Sequence, residues 1–442
     1  MNPQDKPREQ ALEILRSVED NRFADSLLDR ARDLFDARDS AFILELVYGT
    51  LRNRAWLDWV LDLFSAQPVA KTDVWTRNIL RLGAYQLLLL DRVPASAAVN
   101  TSTGLAKAFG KKHGYVNGLL RNLDRKRSSI SEPRFSEPAK RLAVLYSHPE
   151  WLVRRWLTRF GADQAETLLR ENNRPAPLVI RTNTLKTTRD ELRAALASEN
   201  VEAIETGYSA TGLEILSSPG IRTLESYQQG LFMVQDEAAQ LVGLMLSPEP
   251  GENVLDACAA PGGKATHCAE IMQNRGKIVA LEIDPGRANR IVENVRRLGS
   301  TIITPASGDA ALYQLGSFDK ILIDAPCSGL GVLRRHPDGR WNKSEQTIGE
   351  RRRLQSRILE NCATLLKPGG AMVYATCTTE PEENEEVIDS FLSDAGNRFV
   401  IDDPRPYLPK PAAGLVDERS FLHTYPQAFQ MDGFFGVRMV KK

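Results

Sequence analysis

Two cysteines in separate short motifs open the chemical reading of this chain. One sits in Asp324-Ala325-Pro326-Cys327-Ser328-Gly329, the other in Tyr374-Ala375-Thr376-Cys377-Thr378. Each motif follows an apolar run with the composition of a buried strand. Cytosine and uracil do not react at C5 with mild electrophiles. A thiolate added to C6 makes C5 enamine-like, so that C5 can take a methyl group from a sulfonium. Loss of the C5 proton and of the thiol then restores aromaticity. Such a site needs a thiolate favoured by nearby positive charge or hydrogen bonds. It also needs an acid near the ring nitrogens, where charge develops on addition. Asp324, three residues before Cys327, is the candidate for that edge of the base. Taken singly, either cysteine reads as a small buried residue; the paired motifs are what distinguish them. Chemistry alone leaves open which thiol attacks and which assists release.

Upstream lies a glycine turn, Asp256-Ala257-Cys258-Ala259-Ala260-Pro261-Gly262-Gly263-Lys264. Its glycines let the backbone approach a ligand at a helix N-terminus. The spacing is neither GxGxxG nor GxxxxGK[ST], so neither a dinucleotide nor a nucleoside triphosphate is indicated directly. Glu282 ends a strand 26 positions after Asp256, where such folds hold ribose hydroxyls. With Ser307-Gly308-Asp309 and Asp324 at later strand ends, these features favour an adenosine-containing cofactor.

These residues need elements to position them. The chain has 442 residues, enough for two or three domains. No apolar run approaches the ~20 residues of a membrane span, and the polar start lacks a signal-peptide core. A cytoplasmic protein without a membrane partner is expected. The five cysteines contain no CxxC, which argues against a disulfide framework, a structural zinc site and a redox enzyme. Lys and Arg total 57, as do Asp and Glu, so net charge does not advertise nucleic acid. Local charge does: Lys107, Lys111, Lys112, Arg121, Arg125, Lys126 and Arg127 face only Asp124. Arg334-Arg335-His336, with Arg340, Lys343 and Arg351–353, is a second basic cluster. Both clusters are candidates for RNA phosphates, and Trp341 for stacking on a base. A solvated helix face is the competing reading of each charge run.

Helical spacing in 11–18, 44–51 and 79–89 predicts an all-helical bundle over 1–128, with Pro94 marking a helix start and Gly49, Gly83 and Gly104 allowing close helix packing. A polar Pro/Ser stretch at 129–140 predicts a linker. An α+β subdomain is expected over 141–234, with helices at 151–160 and 188–198 and strands at 178–182 and 213–216. From 235 to 442 strands alternate with helices, which predicts an α/β doubly wound, largely parallel sheet. Its strands are expected at 253–256, 277–282, 302–304, 320–324, 371–376 and 434–439.

The segments Asp256 to Lys264, Asp324 to Gly329 and Thr376-Cys377 strongly resemble the RNA 5-methylcytosine methyltransferases of the Sun/Nol/Nop group, over residues 145–442. Leu46-Val47-Tyr48-Gly49-Thr50-Leu51-Arg52 and Tyr115-Val116-Asn117-Gly118-Leu119-Leu120-Arg121 resemble a NusB-type RNA-binding domain, and Arg334-Arg335-His336-Pro337-Asp338 fits the same pairing. The resemblance implies a Rossmann-like S-adenosylmethionine-dependent methyltransferase domain behind a small α+β subdomain and an all-α NusB-like domain. It implies Cys377 as nucleophile, Cys327 in product release and Asp324 between cofactor and base. DNA cytosine methyltransferases use the Pro-Cys thiol as nucleophile instead. Cys258, Ala259, Ala260, Pro261, Gly262, Gly263 and Lys264 would line the cofactor site, with Glu282 on the ribose, Asp309 on the adenine side, and Arg287 and Asp324 contributing. Arg181-Thr182-Asn183 resembles the motif that opens the catalytic portion. Thr378 and Glu282 stand where Ser and Asp are common and keep the chemical type.

The expected activity is methylation of a cytosine C5 in small-subunit (16S) rRNA through a covalent cysteine–cytosine intermediate, with S-adenosylmethionine, no metal, and the chain acting as a monomer on RNA. The competing readings are a cytosine methyltransferase for tRNA or DNA and a non-catalytic RNA-binding assembly factor. Intact Cys377, Cys327, Asp324 and Gly262-Gly263 weigh against a scaffold.

Overall fold

The apolar positions that repeat at helical spacing near the start, Ala11, Ile14, Leu15 and Val18, are all buried on one face of the helix Lys6–Glu19. In a computed structural model that describes residues 5–217 and 220–442, the chain forms two compact units. The first contains residues 5–175 and Leu333–Lys343; the second contains Ala176–Val332 and Ser344–Lys442. Residues 1–4, which include most of the polar start, lie outside the described residues.

The first unit is helical from Lys6 to Glu171 apart from its turns. The helices Ala37–Arg52 and Val74–Leu89 begin at Asp36 and Asp73, whose carboxylates accept from Asp39 N–H and Thr76 N–H. Gly49 and Gly83 are needed for packing, since a Cβ on them would stand 2.0 Å from the Tyr85 side chain and 2.6 Å from Leu120. Gly104 corrects the expectation: nothing lies within 4 Å of its would-be Cβ. The helix Ala95–Ala108 does follow Pro94. The stretch 129–140 lies within this unit, as do the helices Pro138–Leu145 and Glu150–Glu171. The latter breaks at Gly161, φ 75°, directly after the expected end at 160, and a second helical stretch continues to Glu171.

The second unit holds two sheets. The smaller is antiparallel, built from β1 (Leu178–Thr182), β2 (Glu202–Glu205), β3 (Gly212–Ser217) and β4 (Phe232–Val234) in the order β2-β3-β1-β4. The helix Arg189–Ser198 crosses from β1 to β2 behind a capping box formed by Thr188 and Glu191. β2 and β4 were not expected, being short and without alternation.

The larger sheet contains β5 (Asn253–Asp256), β6 (Lys277–Glu282), β7 (Ile303–Ser307), β8 (Phe318–Asp324), β9 (Leu366–Thr376), β10 (Phe399–Asp402), β11 (Phe421–Thr424) and β12 (Phe434–Lys441). Its order is β10-β12-β9-β8-β5-β6-β7, with β11 also on β12. The five strands β5 to β9 are parallel, whereas β10, β11 and β12 join antiparallel. Apolar clusters cover both faces: Val254, Leu322 and Val373 point to one, Leu255, Ile321 and Tyr374 to the other. Strand order reverses between β5 and β8, and a crevice beyond the carboxyl ends of strands at such a point is where these sheets place ligands.

Candidate active site

The glycine turn leaves β5 at Asp256 and enters the helix Gly263–Ile271 at Gly262, whose φ of 98° suits glycine. The Ala260–Pro261 peptide is cis. Asn294 Nδ2 donates to the Pro261 carbonyl at 3.0 Å. Arg181 fixes the helix behind the turn. Its side chain is wholly buried and donates to both Glu270 oxygens, at 3.1 and 2.7 Å, to the Gly263 carbonyl at 2.7 Å and to Thr266 and Gln235. Asn183 Nδ2 donates to the carbonyls of Gly230 and Leu298, each at 2.8 Å. Within the Arg-Thr-Asn motif, Arg181 thus holds the end of the turn, and Asn183 ties the segment to Gly230 and Leu298.

Lys264 and Asp324 converge from the helix start and the end of β8, Nζ to Oδ2 at 2.6 Å. Burial opposes the Lys264 charge, but Asp324 and Asp256 outweigh it and raise its pKa. The Lys264 ammonium also lies 5.4 Å from the Phe434 ring centroid. Asp256 is fully buried and neither carboxylate oxygen makes a hydrogen bond of normal geometry. Burial, with Asp324 adding, pushes its carboxyl up to about 7.

The two thiols meet. Parallel pairing of β8 with β9 sets Asp324 beside Ala375, and just past both strand ends Cys327 Sγ lies 3.2 Å from Cys377 Sγ. The hydrogen bond to Cys377 and burial hold the Cys327 thiol well above its ordinary pKa. The loops that carry them are locked together: Gly331 N–H donates to the Cys377 carbonyl at 3.0 Å, and a Cβ on Gly331 would come within 2.0 Å of the Gly433 carbonyl oxygen.

Glu282 is buried at the end of β6, where its Oε1 accepts from Asp284 N–H at 3.0 Å and from Arg287 at 3.5 Å. Arg287 also donates to the Ala260 carbonyl at 3.2 Å, so it ties the glycine turn to the β6 end. Asp309 follows β7, and its carboxylate accepts from Ala311 N–H at 2.9 Å. Gly308 N–H donates to the Glu282 carbonyl at 3.1 Å. The Cys258 thiol is pushed well up by burial, with Cys362 and nearby carboxylates adding.

S-adenosylmethionine carries a sulfonium, an ammonium, a carboxylate, ribose hydroxyls and adenine. A glycine turn at a helix N-terminus and a buried acid at the end of the next strand fit those groups. The N–H groups of the turn suit the carboxylate of the amino-acid end, and the acids Glu282 and Asp309 suit the hydroxyls and amine of the nucleoside.

The second basic cluster is not what its composition indicated. Arg334 and Arg340 are buried, and Arg340 donates to the carbonyls of Ser147 and Asn172, each at 3.0 Å, and to the Asn173 side chain. Trp341 Nε1 donates to the Leu51 carbonyl at 2.8 Å while Arg54 lies over its ring. His336 Nδ1 lies 2.9 Å from Asp25 Oδ2. Arg334 and Arg340 are thus taken up inside the first unit and the Trp341 ring is engaged by Leu51 and Arg54, whereas His336 stays part-exposed and Arg353 is exposed. In contrast, Lys107, Lys112, Arg121, Arg125, Lys126 and Arg127 are exposed. Lys111 pairs with Asp73 at 3.4 Å.

Three family models match the chain. They are the NusB family over residues 5–125, the RsmF/B-like ferredoxin-like domain over 148–222 and the 16S rRNA methyltransferase RsmB/F over 243–440. The "Probable ribosomal RNA small subunit methyltransferase B" of Bacillus subtilis (strain 168) is 37% identical over 445 residues, covering 98% of each chain. The chain belongs to the RsmB/F family. Another RsmB/F relative, the Escherichia coli O1:K1 ribosomal RNA small subunit methyltransferase B, is 31% identical over 96% of each chain. A solved methyltransferase homologue from Pyrococcus horikoshii matches with a TM-score of 0.59 and 27% identity, covering 70% of this chain and all of that one. An RsmB/F chain thus combines a NusB domain, a ferredoxin-like subdomain and a Rossmann-like methyltransferase domain, as the motifs implied. No helix among the described residues is long and apolar enough to cross a membrane.

Reasoning from sequence missed the supports beneath the thiols. Glu383, Asn384 and Gln355 are buried against the two loops. The run Glu382-Glu383-Asn384-Glu385 reads as a solvated helix start, and nothing in its composition marks one acid as interior.

Proposed function

We propose that the chain methylates C5 of a cytosine in small-subunit (16S) rRNA through a covalent cysteine–cytosine intermediate. Family membership supports S-adenosylmethionine-dependent methylation of rRNA; the thiol pair at 3.2 Å beside the Lys264–Asp324 pair carries the finer reading. Bound S-adenosylmethionine supplies the electrophilic methyl group. Cys377, its proton given to water, adds to C6 as the thiolate, the role the family resemblance gives the Thr-Cys thiol, and the displaced C5=C6 pair lets C5 take the methyl group. Asp324 meets the N3–N4 edge, and Lys264 brings positive charge to where addition places electron density. After C5 is methylated, its proton leaves to water, the electron pair closes C5=C6 and the C6–S bond breaks. Cys327, held as a thiol, donates its S–H to the departing Cys377 sulfur.

The test is methyl transfer from labelled S-adenosylmethionine to protein-free 16S rRNA, read by incorporation, base mapping and denaturing gels. Cys377→Ala is expected to be inactive without an adduct, and Cys327→Ala to trap one. Reversed roles would make the Pro-Cys thiol the nucleophile. A silent wild type on free rRNA that methylates tRNA would move the substrate.

A further inference from the structure

Glu383 and Asn384 follow Cys377 by six and seven residues and are 0% and 1% exposed. Asn384 grips the chain on both sides of Cys377, accepting from Thr376 Oγ1 at 2.5 Å and donating to the Thr378 carbonyl at 3.0 Å. The Tyr374 hydroxyl donates to the Glu383 carbonyl at 2.6 Å and pins that backbone to β9. From there Glu383 Oε1 reaches the other loop. It accepts from the N–H of Ser328, directly after Cys327, at 2.8 Å. It also accepts from Gln355 Nε2 at 3.0 Å, which donates in turn to the carbonyl of Pro326, directly before Cys327, at 3.1 Å.

One buried carboxylate thus joins the frame of the Thr-Cys loop to the frame of the Pro-Cys loop. The arrangement is costly: among the described residues Glu383 Oε2 makes no hydrogen bond of normal geometry, and burial raises the carboxyl's pKa. Helix capping does not account for the cost, because both bonds to Oε1 come from outside the segment's own turn. The groups it holds flank Cys327 on either side.

We propose that Glu383 is a positioning residue for the release half of the reaction, holding Cys327 Sγ against Cys377 Sγ. This rests on the two-thiol reading above. When the Cys327 loop shifts, Cys377 still adds to C6 and C5 still takes the methyl group. The departing sulfur then lacks its S–H donor, so elimination slows and the covalent adduct persists.

The experiment uses the full chain with 16S rRNA and labelled S-adenosylmethionine, comparing wild type, Cys327→Ala, Glu383→Ala, Glu383→Asp and Glu383→Gln. Adduct on denaturing gels, first-turnover methyl incorporation and multiple-turnover rate are read together. Glu383→Ala and Glu383→Asp are expected to raise the adduct and slow multiple turnover about tenfold, leaving first-turnover incorporation near wild type. Glu383→Gln, whose amide oxygen can accept the same Ser328 N–H, should restore low adduct. Should Glu383→Ala fail to fold, Glu383→Asp decides, since it keeps the charge and only shortens the arm. Loss of incorporation and adduct together, or no change in either, overturns the proposal. A wild type without methyl transfer, or a Cys327→Ala enzyme without adduct, overturns the two-thiol reading instead.

Discussion

Lys264 Nζ and Asp324 Oδ2 lie 2.6 Å apart, joining the helix that follows the glycine turn to the end of the strand that leads into the Pro-Cys loop. Removing the cation with Lys264→Met leaves Asp324 without its ion-pair partner and removes the charge that holds the Asp256 pKa down. Methyl transfer is expected to fall about 100-fold. Stability should fall by about 3 kcal/mol, as for a buried pair broken on one side. Turnover and thermal melting, measured together, check this; full activity in the variant would remove the pair from the chemistry.

Asp256 makes stability depend on pH. Its carboxyl is pushed up to about 7 in the folded chain against an ordinary 3.8, chiefly by burial. Between those values the folded state holds a proton that the unfolded chain has released. Stability from this group is therefore lost as pH rises from about 4 to 7, at about 1.4 kcal/mol per unit. Asp256→Asn should melt higher than wild type at pH 8, with the gap narrowing at pH 5. A gap independent of pH would contradict this assignment.

Arg181 is fully buried and donates to five oxygens on four residues. Arg181→Ala strands the Glu270 carboxylate, at a cost of about 3–5 kcal/mol. Arg181→Lys should recover little, because an ammonium cannot reproduce the fork on Glu270 and the Gly263 carbonyl. Calorimetric melting tests both variants, and a lysine variant as stable as wild type would show that the fork is dispensable.

The exposed basic face of the helix His113–Lys126 and its neighbours is expected to hold RNA phosphates. Replacing Lys111, Lys112, Arg125 and Lys126 by Glu should weaken rRNA binding, flatten its salt dependence and leave S-adenosylmethionine affinity unchanged. Filter binding across a salt series, with calorimetry for the cofactor, is the check. Arg340→Ala is the contrasting variant: it should lower the melting temperature, since its donors serve buried carbonyls. Unchanged RNA affinity in the four-site variant would free that face from any such role.

Residues 254–256, 277–282 and 178–182 form strands as their apolar runs foretold, and Pro285–Leu298 forms a helix, because side-chain periodicity and local capping act over a few residues. The three chemical motifs were legible for the same reason: each is a short run whose residue types suit one task. The antiparallel additions β10, β11 and β12 were less so, since edge pairing is set by distant partners; only β12 was apolar enough to be read. The basic run at 334–340 misled, because composition cannot tell a guanidinium in water from one that serves buried carbonyls.

The motifs, the alternation of strands and helices, and the family they resemble are all written in local runs of residues. Tertiary structure alone decided what those motifs face. Cys327 and Cys377 are 50 residues apart, and parallel pairing of β8 with β9 brings their sulfurs to 3.2 Å. Glu383 becomes an interior tie only when Tyr374, Ser328 and Gln355 close around it. Hydrogen bonding and desolvation depend on neighbours distant along the chain, so no local pattern records them.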